Sequence, residues 1–175
     1  MNDQNTARMY VTFPSLFMER MEGEALDARL ANEYGNKFAK QPDREGRYPC
    51  LPYGFECGDG WYKLLFQLCE NITHVVRIHD LKPCMGQVKE KFGLLRFYLR
   101  FPDDVVVVEP GDDCVRGAVV ERKAGVELIY RLIHEAERQS GITCMRCGKA
   151  GVMRTNGWHH VSCDACEALQ ETEFG

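Results

Sequence analysis

Two Cys-x-x-Cys motifs near the C-terminus constrain this chain more than any other feature. Cys144-Met-Arg-Cys147 and Cys163-Asp-Ala-Cys166 are separated by residues 148–162. Four thiolates at that spacing form the ligand set of one tetrahedral Zn²⁺, because the short spacer lets both sulfurs of a pair grip the ion while the backbone turns around it. Gly148, directly after the first pair, supplies the positive φ that such a turn favours. Between the pairs, Val152–Thr155 and Trp158–Val161 read as short strands joined at Asn156-Gly157, a dipeptide suited to the type I′ hairpin turn. After Cys163 the residues favour helix, with Asp164 and Glu167 near its start, where the helix dipole favours negative charge and stabilises thiolates. Knuckle, hairpin and helix in that order predict a treble-clef finger, with a zinc ribbon as the alternative. Four thiolates leave no open coordination position, so the expected cofactor is a single structural Zn²⁺. His159 and His160 adjoin the site on the second strand, and a three-Cys-plus-His set stays open.

The rest of the chain reads as α+β, with a small antiparallel sheet packed against helices. The expected division is an α+β domain over 1–142 and a finger over 143–175, packed on the helix before it. A hydrophobic share of 45% in 175 residues is enough for a real core. Phe13–Met21 reads as a short helix with Pro14 in its first turn. Glu24–Tyr34 reads as a second helix with Leu26, Leu30 and Tyr34 on one stripe. Residues 35–58, rich in Pro and Gly, read as a long loop partly packed down by Tyr48, Tyr53 and Phe55. Asp59 is a suitable N-cap for a helix from Gly60 to Ile72, where Trp61, Leu64, Leu65, Leu68, Cys69 and Ile72 recur at helical spacing.

Met85–Phe92 and Leu94–Phe101 alternate as strands around Gly93. Leu95, Phe97, Leu99 and Phe101 point inward, as do Val88 and Phe92, while Glu90 is a misfit among them. The outer face then carries Lys89, Lys91, Arg96, Tyr98 and Arg100. Val105–Val108 reads as a further strand, and Gly117–Arg138 as a helix with Val126, Ile129, Tyr130 and Ile133 on one side and a weak point at Gly125.

The N-terminal residues lack the apolar run of a signal peptide, and no stretch reaches the roughly 20 apolar residues of a membrane span. The expectation is a cytoplasmic protein without a membrane partner, in a reducing compartment that favours metal over disulfides for paired cysteines.

Gly60-Trp61-Tyr62, Leu68-Cys69, Val88-Lys-Glu-Lys-Phe-Gly93, Leu95-Arg-Phe-Tyr98, Cys144-x-x-Cys147-Gly148, Arg154, Gly157-Trp158 and Cys163 together resemble a largely uncharacterised family of small proteins encoded by bacteriophages and bacteria. The resemblance spans roughly residues 58–166 and leaves 1–57 outside. It implies a phage or prophage origin, and so the cytoplasm of a bacterial host cell, but it carries no activity.

The chain has no Gly-x-Gly-x-x-Gly, no phosphate-binding Gly-Lys-Ser/Thr loop and no nucleophile elbow. An HNH-type nuclease on a treble-clef frame needs its His pair on the first hairpin strand and metal ligands on the helix, whereas His159-His160 lies on the second. Cys50, Cys57, Cys69, Cys84 and Cys114 read as buried structural cysteines, although Cys50 and Cys57 with His74 or His79 have the residue types of a second metal site. The reading is therefore non-enzymatic, with an enzyme of unrecognised type as the remote alternative.

Two binding roles remain. A protein partner, expected to be a host factor or defence complex, suits the net charge of −4 and the acidic pairs Asp103-Asp104 and Asp112-Asp113, which could imitate phosphates toward a basic surface. Nucleic acid is the alternative. Lys89, Lys91, Arg96, Arg100, Arg146, Lys149 and Arg154 would contact phosphates, and Tyr98 or Trp158 would stack on bases.

Overall fold

The computed structural model describes residues 1–33, 35–101, 116–155 and 157–174, with 116–122 and 170–174 described by backbone course alone. Its centre is the helix α4, Tyr62–Ile78, on which Leu65, Leu68, Cys69 and Ile72 form the buried stripe that their spacing predicts. The helix runs beyond the expected end at Ile72, and its start is built differently. Asp59–Trp61 form a 3₁₀ turn that places Trp61 in the core with no exposed surface. Asp59 makes no side-chain cap there. Its carboxylate instead accepts hydrogen bonds from the Asn2 amide at 2.8 Å and the Asn5 side chain at 2.9 Å. The residue thus ties α4 to the first helix, α1 (Asp3–Thr12), which the sequence reading had left without structure.

Next along the chain come α2 (Pro14–Phe17), β1 (Met18–Glu19) and α3 (Gly23–Ala31). Pro14 does occupy the helix start, but the helix lasts one turn before the chain extends into β1. Of the expected apolar stripe, Leu26 is half-buried on α3. Leu30 is exposed, and the buried residue is Arg29, whose guanidinium donates to the carbonyls of Pro49 and Cys50. A charge is tolerated at that depth because two backbone acceptors satisfy it.

The loop over 35–58 is packed around buried Ala39, Cys50, Leu51, Phe55 and Cys57; of the three aromatics expected to hold it down, Phe55 is buried and Tyr48 half-buried, but Tyr53 is exposed. It contributes two short strands. β2 (Tyr48–Pro49) pairs antiparallel with β1, and β3 (Phe55–Glu56) pairs parallel with β4 (Cys84–Lys91). With β5 (Leu94–Arg100), the main sheet has the order β3-β4-β5, an antiparallel hairpin extended by one short parallel strand from within the loop.

β4 and β5 pair from Cys84↔Arg100 to Lys91↔Leu94, leaving Phe92-Gly93 as a two-residue turn. Both turn residues have positive φ, at 55° and 78°, which is the geometry of a type I′ turn. Phe92 consequently points to solvent, at 58% exposure, and not inward with Val88. Glu90 loses its status as a misfit, because its carboxylate accepts the Gly93 amide and closes that turn. Leu95 and Phe97 are buried as predicted.

The sheet and α4 are covered by α5 (Arg116–Ser140), which buries Ile129 and Ile133 but leaves Tyr130 half exposed beside Phe101. Gly125 permits close helix packing, since a Cβ there would stand 2.7 Å from the His79 side chain. At the far end, the buried Ser140 hydroxyl accepts from the Leu95 amide at 2.9 Å and donates to the Glu137 carbonyl, which pins α5 to β5. The expected strand over 105–108, the acidic residues Asp103, Asp104, Asp112 and Asp113, Cys114 and Tyr34 lie outside the described residues.

Candidate metal centre

The chain leaves α5 and forms a tight knuckle at Cys144–Gly148. The Gly148 amide donates to the Cys144 carbonyl at 2.8 Å, and Gly148 has φ of 76°, as its position after the pair predicts. A hairpin follows, with β6 (Val152–Arg154) antiparallel to β7 (His160–Ser162), and then α6 (Asp164–Phe174). Knuckle, hairpin and helix thus stand in treble-clef order. The hairpin turn is wider than expected. Arg154 pairs with His160, so Trp158 and His159 lie outside the second strand, while Asn156 lies outside the described residues.

The fold brings all four predicted cysteines together, with their sulfurs within 4.8 Å of one another. Cys147 Sγ lies 3.6 Å from Cys163 Sγ. Thiolates bound at about 2.3 Å to one tetrahedral ion stand about 3.8 Å apart, so this spacing suits a shared cation. Cys144 is buried, Cys147 exposed, and Cys163 and Cys166 half-buried. Burial opposes ionisation of Cys144, but the backbone amides of Cys147, Cys163 and Arg146 outweigh it and bring the thiol down to about 6. Cys166 is pushed up to about 12, chiefly by hydrogen bonds shared with Cys147 and Cys163. A divalent ion bound by the four sulfurs would displace the protons that they carry.

His159 and His160 are not members of the cluster. His160 is held between the Trp158 carbonyl and the Glu167 carboxylate, each at 2.8 Å. Burial works against its charge, but those two acceptors raise its pKa. Glu167 also accepts from the Ser162 hydroxyl, so one carboxylate clamps α6 to β7 behind the cysteines. Arg154 reaches Asp164 at 2.5 Å and makes a second clamp, from α6 to β6. None of these partners was visible in the sequence pattern, because they face each other only once the hairpin has turned.

The seat of the finger was also unforeseen. The Gly60 amide donates to the Met145 carbonyl at 2.8 Å, and Trp61 Nε1 donates to the Thr143 carbonyl at 2.9 Å. A Cβ on Gly60 would come within 2.2 Å of the Cys144 carbonyl oxygen, and one on Gly58 within 2.2 Å of the Met145 carbonyl oxygen. The knuckle lies backbone to backbone on the 3₁₀ turn that starts α4. A second contact joins the hairpins. A Cβ on Gly93 would meet the Met153 side chain at 2.6 Å, and Trp158 Nε1 donates to Glu90 at 3.4 Å.

These contacts separate the residues expected to form one contact surface. Lys89 pairs across the sheet with Arg96, and Tyr98 lies opposite Gln87, all on the outer face. Glu90 is on the other face of the same strand, so Trp158 and the finger meet the turn from the side opposite Lys89, Arg96 and Tyr98. Several of the cations are also engaged. Arg96 folds onto the Leu95 carbonyl, Arg100 faces Glu19 at 3.8 Å, Arg146 reaches the Cys166 carbonyl at 3.4 Å, and Arg154 holds Asp164. Lys149 lies exposed on the knuckle, and Lys91 sits over the Phe92 ring.

Among the described residues, no helix is long and apolar enough to cross a membrane. Comparison with protein-family models, curated proteins and solved structures finds no match to this chain.

Proposed function

We propose that the chain acts by binding a protein partner and not by catalysis, with one structural Zn²⁺ at Cys144, Cys147, Cys163 and Cys166 fixing the finger that presents the contact surface. The observation that carries this reading is a cluster of large exposed apolar side chains where the two hairpin turns meet. Trp158 is 72% exposed, Phe92 58% and Met153 38%, and Met153 lies against Gly93, the residue after Phe92 in the turn. Trp, Phe and Met on a rigid support are the side chains that anchor protein interfaces. An isolated exposed apolar residue is ordinary, but a cluster shared by two separate hairpins suits a contact surface. The expected partner face offers an apolar pocket with acidic groups toward Lys91. The resemblance to phage-encoded proteins makes a host or defence protein the class to search first.

Nucleic-acid binding is the second reading, favoured by the Lys89–Arg96 pair with exposed Tyr98 on the outer sheet face. It is weakened by the carboxylate and carbonyl partners of Arg96, Arg100, Arg146 and Arg154, which compete with phosphate.

The test is capture of partners from host lysate by the zinc-loaded chain, run beside Trp158→Ala and Lys89→Ala/Arg96→Ala, with and without nuclease. A stoichiometric protein that survives nuclease and is lost with Trp158→Ala, while the melt is unchanged, supports the proposal. Capture that needs nucleic acid and is lost only with the Lys89/Arg96 variant refutes it.

A further inference from the structure

A second cluster of chemically reactive groups lies at the other end of the sheet. Cys50 follows β2, Cys84 opens β4, and their sulfurs stand 2.7 Å apart. They are separated by 34 residues in sequence, so the contact is made by the fold. Glu19 of β1 accepts from Cys84 at 3.1 Å, and the Arg100 guanidinium lies 3.5 Å from the same sulfur. Cys50 is buried, while Cys84 is half-buried and reachable from solvent. The sequence reading grouped Cys50 instead with Cys57 and a histidine; the fold brings Cys50, Cys84 and Glu19 together.

Three candidate ligand atoms invite comparison with the finger, and the two sites differ. Sulfurs sharing one zinc ion stand about 3.8 Å apart. Cys50 and Cys84 are much closer than that, and a guanidinium faces the sulfur where a cation would have to bind. A cation is therefore disfavoured there by charge.

We propose that Cys50 and Cys84 form a reversible thiol–disulfide site, distinct from the metal centre, that latches the packed loop over 35–58 to the main sheet. The oxidant would be a small-molecule disulfide. Cys84 gives its proton to Glu19, and its thiolate attacks one sulfur of the disulfide RSSR, expelling RS⁻ and forming a mixed disulfide. Cys50 then attacks the Cys84 sulfur and expels the second RS⁻, which takes up the Cys50 proton. The first RS⁻ takes up the proton held by Glu19. Two protein thiols and RSSR thus become one protein disulfide and two RSH, and two electrons pass to the small disulfide. Cys57 and Cys69, buried cysteines outside this cluster, are the internal controls.

The experiment equilibrates the full, zinc-loaded chain in glutathione buffers from fully reduced to fully oxidised, blocks free thiols with N-ethylmaleimide, and maps cross-linked peptides by mass spectrometry. The expected result is a 2 Da loss (two hydrogen atoms) with a Cys50–Cys84 peptide, reversed by reduction. A rise in melting temperature of roughly 10 °C should accompany it, because the bond closes a loop of more than thirty residues in the unfolded chain. The rise should be absent in both Cys50→Ser and Cys84→Ser. The proposal is overturned if the wild-type pair stays unlinked throughout while the chain remains folded. It is also overturned if linkage is no more frequent there than at Cys57 or Cys69, or if a second equivalent of zinc is retained and lost with Cys84→Ser.

Discussion

Replacing Gly60 by alanine adds one methyl group at the seat of the finger, and the structure says what it must displace. The new carbon would lie 2.2 Å from the Cys144 carbonyl oxygen, 2.5 Å from the Gly148 amide nitrogen and 2.7 Å from the Met145 carbonyl carbon. All three are backbone atoms, so no flexible side chain can swing aside. Gly60 has no positive φ, so backbone strain does not confuse the result. The knuckle must lift, and two hydrogen bonds stretch or break, those from Gly60 N and Trp61 Nε1. At about 1 kcal/mol for each bond, with roughly 1–3 kcal/mol for overpacking and up to about 1 kcal/mol returned by the stiffer unfolded chain, the net loss is about 3 kcal/mol. Urea unfolding followed through buried Trp61, with Trp158 changed to Phe to remove its signal, reads this directly. The melting point should fall by roughly 10 °C. Gly86→Ala is the control. Its nearest neighbour would be 3.2 Å away, and it should stay within about 1 kcal/mol of the parent. If Gly60→Ala unfolds within about 0.5 kcal/mol of the parent, the backbone-to-backbone seat is wrong.

Cys163→Ser, or treatment with a strong chelator, should abolish a one-to-one zinc content and lower the melting temperature of the whole chain, because the knuckle and the core share Trp61; unchanged melting with no bound metal would refute a structural ion. Asp59→Asn should cost about 1 kcal/mol by weakening the tie to α1. Partial burial opposes the charge of Asp59, but hydrogen bonds from Asn2 and Asn5 hold its carboxyl below the usual range. A depressed folded pKa contributes stability above the unfolded value, about 4, that is lost as pH falls through the folded value. The wild-type advantage over Asp59→Asn should therefore be full at pH 6 and shrink below about pH 4, and an advantage independent of pH would refute the assignment.

The elements that could be read from the sequence were those whose pattern is local. The α4 stripe, the alternation of β5 and the four cysteines each repeat at a spacing that states their geometry. What escaped was decided by partners distant in the chain. Asp59 looked like a cap until Asn2 and Asn5 came beside it, and Arg29 went inside because the carbonyls of Pro49 and Cys50 were there to receive it. Phe92 was assigned to the wrong face because a run of alternating residues does not announce where it turns; the Gly93 that marks the turn also carries Phe92 to positive φ. Trp158 and His159, read as strand residues, precede β7, which starts only at His160; Asn156 of the turn dipeptide lies outside the described residues. The pairing of Cys50 with Cys84 had no spacing signal at all, because two separate strand ends create it.

The close approach of the knuckle to the 3₁₀ turn has a consequence for recognising relatives of this chain. A finger that hung on a linker would leave its mark only in its own cysteines. Here the backbones of Cys144, Met145 and Gly148 occupy the space that side chains at positions 58 and 60 would need. Any chain that keeps this docked finger must also keep those two positions free of a Cβ. The diagnostic pattern is therefore split, with Cys-x-x-Cys-Gly near the end of the chain and a Gly-x-Gly ahead of the central helix. Cysteines that had lost those glycines would mark a finger carried in some other way.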